Sequence, residues 1–170
     1  MALIKSLNNL NPIIAADVFL ADNATIIGDV SIAKGSSVWF NSTIRGDVNS
    51  IVIGNNVNIQ DGVVVHCTYQ KTNTVIGNNV SIGHNAIIHG CKIEDNVLIG
   101  MGAIIMDGAL IQKNSIVAAG SIVTKNTLVP SGSVFAGLPA KLIRTISEEE
   151  IYDLTQNMAD NYIKYSSWYL

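Results

Sequence analysis

Along most of the chain an aliphatic residue returns at every sixth position. Ile14, Leu20, Ile26, Ile32, Val38 and Ile44 form a first run, Ile53, Ile59 and Val65 a second, and Ile76, Ile82 and Ile88 a third. After a one-residue deletion the series resumes at Ile93 and continues through Ile99, Ile105, Ile111, Val117, Val123 and Val129 to Phe135. Helices repeat their apolar face every three to four residues and half-buried strands every two, so a six-residue period fits neither. It fits a chain that makes a short strand, turns a corner and begins again. Three such hexads, about 18 residues, close one triangular coil whose aliphatics point inward and stack on their equivalents above and below. Ile and Val suit such stacks. Gly-Asn-Asn at 54–56 and at 77–79 falls at the corners, where the backbone must turn sharply.

This spacing resembles the hexapeptide-repeat β-helices, and the resemblance, not the pattern, supplies the left-handed coiling, an exception to the usual right-handed crossover. The expected architecture is all-β, a left-handed parallel β-helix over residues 1–145, followed by a C-terminal α-helix over 146–170 that packs on it. Two insertions break the rhythm, one around Val48 to Val52 and one between Cys67 and Val75, where residues 69–74 must loop outward. Ser147, Glu148, Glu149 and Glu150 read as a capping box with Ser147 as N-cap and Glu150 at N3. Ile151, Leu154, Met158, Tyr162 and Tyr165 follow on one helical face.

The register also serves as a ruler. Ile53, Ile76 and Ile93 define a first face, Ile59, Ile82 and Ile99 a second, and Ile44, Val65, Ile88 and Ile105 a third. Arg45, His66, His89 and Met106 each follow a third-face anchor, which predicts an outward ladder with rungs roughly 4.8 Å apart. Two stacked imidazoles at that spacing can converge on one metal ion. His84, the remaining histidine, lies two residues after a second-face anchor, near a corner and facing away from the pair. A catalytic zinc takes three protein ligands and a water, and one chain supplies only two on the ladder. A three-fold trimer would bring His84 from a neighbour and would also cover flat prism faces. The plainer alternative is three ordinary exposed or hydrogen-bonded histidines.

Composition narrows the classes. The formal net charge is −3, Lys and Arg form no cluster, and aromatics make up 6%, which argues against nucleic acid as a partner. No apolar run is long enough to span a bilayer, and the first residues lack the arrangement of a signal peptide, so a cytoplasmic protein without membrane attachment is expected. Cys67 and Cys91 are too few for a disulfide framework and read as reduced buried thiols, with a ligand or reactive thiol as the lesser alternative.

At the histidines the chain resembles the gamma-class carbonic anhydrases and their bacterial relatives of the carnitine and phenylacetate operons. The most specific stretch runs from Ile82-Gly83-His84-Asn85 through Ile88-His89-Gly90-Cys91 to Ile99-Gly100-Met101-Gly102, with further matches at Arg45-Gly46-Asp47, at 58–62 and at Val65-His66. The resemblance implies zinc, with iron(II) or cobalt as substitutes, bound by His66 and His89 of one subunit and His84 of the next in a homotrimer. It implies reversible hydration of carbon dioxide to bicarbonate. By the same resemblance Gln60 matches the residue that hydrogen-bonds the metal-bound hydroxide or bicarbonate, and Asn58 the one that orients it. Arg45, Asp47 and Asp61 match the charged set at the subunit boundary, Arg45 being also placed to hold bicarbonate, and Tyr162 matches a tyrosine that reaches the pocket in some relatives. One departure matters. Residues 67–75 contain no carboxylate and Val48 follows Asp47, so the acids that pass protons to solvent in the founding enzymes are missing, which predicts low turnover. Other readings are a non-catalytic trimeric metal-binding scaffold and, given Ala136-Gly137-Leu138-Pro139-Ala140-Lys141, a hexapeptide acyltransferase or a thioesterase acting on coenzyme A thioesters.

Overall fold

A computed structural model of the protein describes residues 1–169. The hexad aliphatics do what their period demands. Ile26, Ile44, Ile59, Val65, Ile82, Ile88, Ile99 and Ile105 are fully buried in one continuous core that runs the length of the prism. Short parallel strands stack coil on coil. Asn58–Ile59 pairs with Ser81–Ile82 and that with Leu98–Ile99, Val64–His66 with Ile87–His89 and that with Ile104–Ile105, and Thr74–Ile76 with Lys92–Ile93 and that with Leu110–Ile111. Each aliphatic anchor meets the anchor one coil away, so the three faces follow the register read from the sequence. At the corners Asn56, Asn79, Asn96 and Asn114 adopt left-handed backbone at φ 56, 53, 55 and 59°, a conformation that short polar side chains tolerate.

The first insertion differs from a loop. Thr43–Ile53 is one unbroken strand, and the extra residues are absorbed by a register shift against Thr25–Ile32 between Gly28 and Val30. The two backbones pack closely beside the shift, where a Cβ on Gly28 would lie 2.3 Å from the Gly46 carbonyl oxygen. The second insertion does bulge outward, with Tyr69 exposed, but its threonines turn back toward the prism.

Past the last hexad the chain makes a hairpin that the period did not announce. Ser133–Gly137 pairs antiparallel with Ala140–Thr145. That strand covers the open edge of the sheet that ends with Ser133–Gly137, an edge that would otherwise invite pairing with another chain. Ser147 then caps the helix, accepting from the Glu150 backbone N–H while the Glu150 carboxylate accepts from the Ser147 N–H. The helical segment is not uniform: Glu148–Ile151 is α, Tyr152–Gln156 widens to a π-turn, and Asn157–Ser166 returns to α. Its most deeply buried side chains are Thr155 and Ala159, with Ile151, Leu154, Met158, Tyr162 and Tyr165 half-buried around them. It docks through aromatic rings: Tyr162 stands edge-on to Trp39 at 5.4 Å, and Phe19 lies 5.1 Å from the same indole. Among the described residues no helix is long and apolar enough to cross a membrane.

Candidate metal centre

Strand register puts two imidazoles side by side. His66 and His89 are direct partners across neighbouring parallel strands, and their rings approach until His66 Nδ1 and His89 Nε2 are 3.2 Å apart. Each ring leans on its own carboxylate. His66 Nε2 lies 2.9 Å from Asp47 Oδ1, and His89 Nδ1 lies 3.0 Å from Asp107 Oδ1. Burial pushes the Asp47 carboxyl up, but the His66 hydrogen bond and the Arg45 guanidinium outweigh it and hold Asp47 below the usual carboxylate range. Burial likewise opposes ionisation of Asp107, and the hydroxyls of Thr72 and Thr68 with the His89 imidazole overcome it. An ionised carboxylate only accepts, so the ring nitrogen facing each one carries the proton. With both rings neutral, the remaining nitrogens, His66 Nδ1 and His89 Nε2, present lone pairs to each other.

That arrangement fits a cation. Two lone pairs 3.2 Å apart repel, and nitrogens each about 2.05 Å from a tetrahedral zinc stand roughly 3.3–3.4 Å apart. Carboxylates on the far ring nitrogens also fix tautomer and orientation in the manner of metal-bound histidines.

His84 stands apart. It sits at the corner between the second and third faces with Nδ1 2.9 Å from Asp61 Oδ2, its side chain 41% exposed. Among the described residues, no three His, Cys, Asp or Glu side chains of one chain converge on a common ion position. Gln60 and Tyr162 line the same cavity as His84, a space of about 470 Å³ walled by Leu98, Met101, Ile116 and Met158. Asn58 lies behind Gln60, accepting from its side-chain N–H at 2.9 Å and donating to Ser81 Oγ at 2.7 Å. Burial, then the Asp61 charge and Tyr165, push the Tyr162 hydroxyl up to about 12, so near neutral pH it is a donor and not a base.

The expected site residues thus fall into two groups. Arg45, Asp47, His66 and His89 form one, with Arg45 paired to Asp47 of its own chain. Asn58, Gln60, Asp61, His84 and Tyr162 form the other. Among the described residues no side-chain hydrogen bond or ion pair joins the groups. The sequence reading missed Asp107. Its signal was its place one coil below Gly90, beside the second ladder histidine. Cys67 and Cys91 are buried, and burial pushes the Cys91 thiol up to about 12 and raises that of Cys67. Such thiols are poor nucleophiles and poor ligands near neutral pH.

Known proteins share this pattern. A family profile described as bacterial transferase hexapeptide (six repeats) matches residues 73–106, and one described as the hexapeptide repeat of succinyl-transferase matches 90–125. Gamma carbonic anhydrase 2, mitochondrial, of Arabidopsis thaliana is 49% identical over 160 residues, covering 90% of this chain; the match spans 56% of that longer protein. A carbonic anhydrase of Geobacillus kaustophilus is 42% identical over 93% of this chain and 86% of its own length. The crystal structure of a hexapeptide transferase family protein from Anaplasma phagocytophilum superimposes with a TM-score of 0.94 at 44% identity, covering 99% of this chain and 98% of that one. Similarity of this extent, over nearly the full length of the Geobacillus enzyme, makes the chain a member of the gamma carbonic anhydrase family.

Proposed function

We propose that this protein catalyses the reversible hydration of carbon dioxide to bicarbonate in the cytoplasm, at a metal shared between protomers of a homotrimer. His66 and His89 of one protomer and His84 of the next hold the ion, zinc by preference, with iron(II) or cobalt able to replace it. The observation that carries the reading is the split of the site into two groups, each with histidine braced by aspartate and each short of a full ligand set. Two half-sites on one chain become whole sites when copies meet around a three-fold axis.

When bound, such a metal lowers the pKa of a coordinated water to about 7 and so supplies hydroxide at neutral pH. The protein's own side chains do the rest. Asn58 holds the Gln60 amide N–H, which leaves the Gln60 carbonyl oxygen free to accept a proton bond from the attacking oxygen. Arg45 offers its unpaired guanidinium N–H groups to bicarbonate while Asp47 keeps the side chain in place. Leu98, Met101 and Ile116 give the cavity beside His84 an apolar wall suited to carbon dioxide. Release of the proton is the weak step. The segment where founding enzymes carry acids holds threonines here, and these point at Asp107 instead of solvent.

That last observation favours a second reading, a trimeric metal-binding scaffold with little turnover. Stopped-flow hydration of carbon dioxide, after metal is restored under anaerobic conditions, separates the two. Activity that rises in proportion to bound metal and is lost in Gln60→Ala supports the enzyme, whereas a fully loaded protein with no hydration above buffer supports the scaffold.

A further inference from the structure

Residues 68–73 form a loop that the proposed chemistry does not use, and the hydroxyls of its Thr68 and Thr72, with that of Thr74 at the start of the next strand, turn toward Asp107 and the backbone of the ladder histidines. Thr68 Oγ1 and Thr72 Oγ1 donate to the same oxygen, Asp107 Oδ1, at 3.0 and 2.9 Å, the oxygen that His89 Nδ1 also reaches at 3.0 Å. Thr72 Oγ1 accepts in addition from the Thr68 N–H at 3.1 Å, which closes the loop on itself. Thr74, fully buried, donates to the His66 carbonyl at 2.6 Å and accepts from the Gly90 N–H at 3.0 Å, joining the residue after one histidine to the main chain of the other. Asn49, two residues from Asp47, ties the Thr72 carbonyl to the coil above at 3.0 Å. There is no room to spare: a Cβ on Gly90 would come within 2.1 Å of Asp107 Oδ1 and 2.2 Å of Thr72 Oγ1.

We infer that this loop is a clasp for the metal pair, in which Thr68 and Thr72 fix Asp107 so that His89 keeps its proton on Nδ1 and presents Nε2 to His66, while Thr74 locks the spacing of the two histidine strands. The inference rests on the metal reading for its consequence but not for its geometry. The threonines are positioning residues. With three donors on one oxygen the carboxylate cannot rotate away without breaking a bond, so the acceptor stays in front of Nδ1 and His89 is held in one tautomer before any ion arrives. An outward loop of ordinary sequence would leave Asp107 exposed to solvent and free to turn.

The test compares the wild-type chain with Thr68→Val/Thr72→Val and with Asp107→Ala, in metal-free and zinc-loaded forms. Histidine nitrogen NMR on the metal-free protein reads the His89 tautomer, and competition with a chelator reads zinc affinity. The wild type should show a single Nδ1–H tautomer. The double valine variant should show a mixture and bind zinc about tenfold more weakly, as expected when an outer partner of a ligand is lost, and the corresponding double serine variant should restore both. Asp107→Ala, which removes the acceptor facing Nδ1, should likewise give a mixture of tautomers and weaker zinc binding even if the valine variant fails to fold. A single unchanged tautomer with unchanged zinc affinity in the folded variants would overturn the clasp. A wild type that holds the tautomer yet takes up no zinc would support the clasp and overturn the metal reading.

Discussion

Asn79 shows how one side chain serves two needs at a corner. Its backbone is left-handed, and its amide sits within a ladder in which Asn56 donates to Asn79, Asn79 to Asn96 and Asn96 to Asn114, at 3.1, 3.0 and 3.2 Å. Replacing it with alanine removes a donor and an acceptor together and puts a Cβ where left-handed backbone disfavours it. Asn79→Ala should therefore lower stability by about 2 kcal/mol, and Asn79→Gly, which keeps the backbone at ease, by clearly less. Urea denaturation of the two variants checks this, and equal losses would contradict it. At this scale the sequence was legible wherever a residue type has one strong preference. Isoleucine at the hexad positions, asparagine at the corners and the histidine rungs all lie where the period puts them. Asp107 was only half legible: the register puts it one coil below Gly90, but a lone aspartate in a turn does not announce its partners, and its role exists only once Thr68, Thr72 and His89 have been folded against it.

Elements follow the same division. Strand pairing within the prism came directly from the spacing, since three hexads close one coil and a slip of one residue would turn every anchor outward. The hairpin of Ser133–Gly137 with Ala140–Thr145 did not, because its second strand is almost wholly exposed and shows no alternation to read. The helix start was legible through its capping box, whereas the π-turn at Tyr152–Gln156 was not, and the buried face centres on Thr155 and Ala159 instead of the larger residues beside them. Small side chains let the helix come close to the prism, and the aromatic rings then pack along its flank. The capping box also carries a pH signature. Glu150 accepts from Arg144 and from the Ser147 N–H, which hold its carboxyl at about 2, below the ordinary 4.5. A depressed carboxyl contributes stability above its ordinary value and loses it as pH falls toward the folded one. The helical circular dichroism signal should thus decline as pH drops from about 4.5 toward 2, and in Glu150→Gln it should be lower at neutral pH and change little over that range. Identical profiles would show that the cap does not hold the helix.

The whole molecule is where the sequence and a single chain both stop short. Three histidines were legible as a set, and so was their division into a ladder pair and an outlier, because the hexad ruler fixes direction as well as position. On the proposed reading a lone chain lacks the third ligand, and assembly would be the physical means by which His84 reaches a neighbour's pair. Metal and trimer would then be linked: an ion bound across a boundary would stabilise the assembly, and the assembly would complete the ligand set. The measurement that tests this most directly is metal content after subunits of two defective variants are mixed. His84→Ala retains the ladder pair, His66→Ala retains the corner histidine, and each alone should purify without stoichiometric zinc. Unfolded together in equal amounts and refolded with zinc, they should form trimers in which about one boundary in four joins an intact pair to an intact His84, recovering roughly a quarter of the wild-type zinc. Full zinc in either variant alone, or no recovery in mixed trimers, would contradict a site shared between protomers.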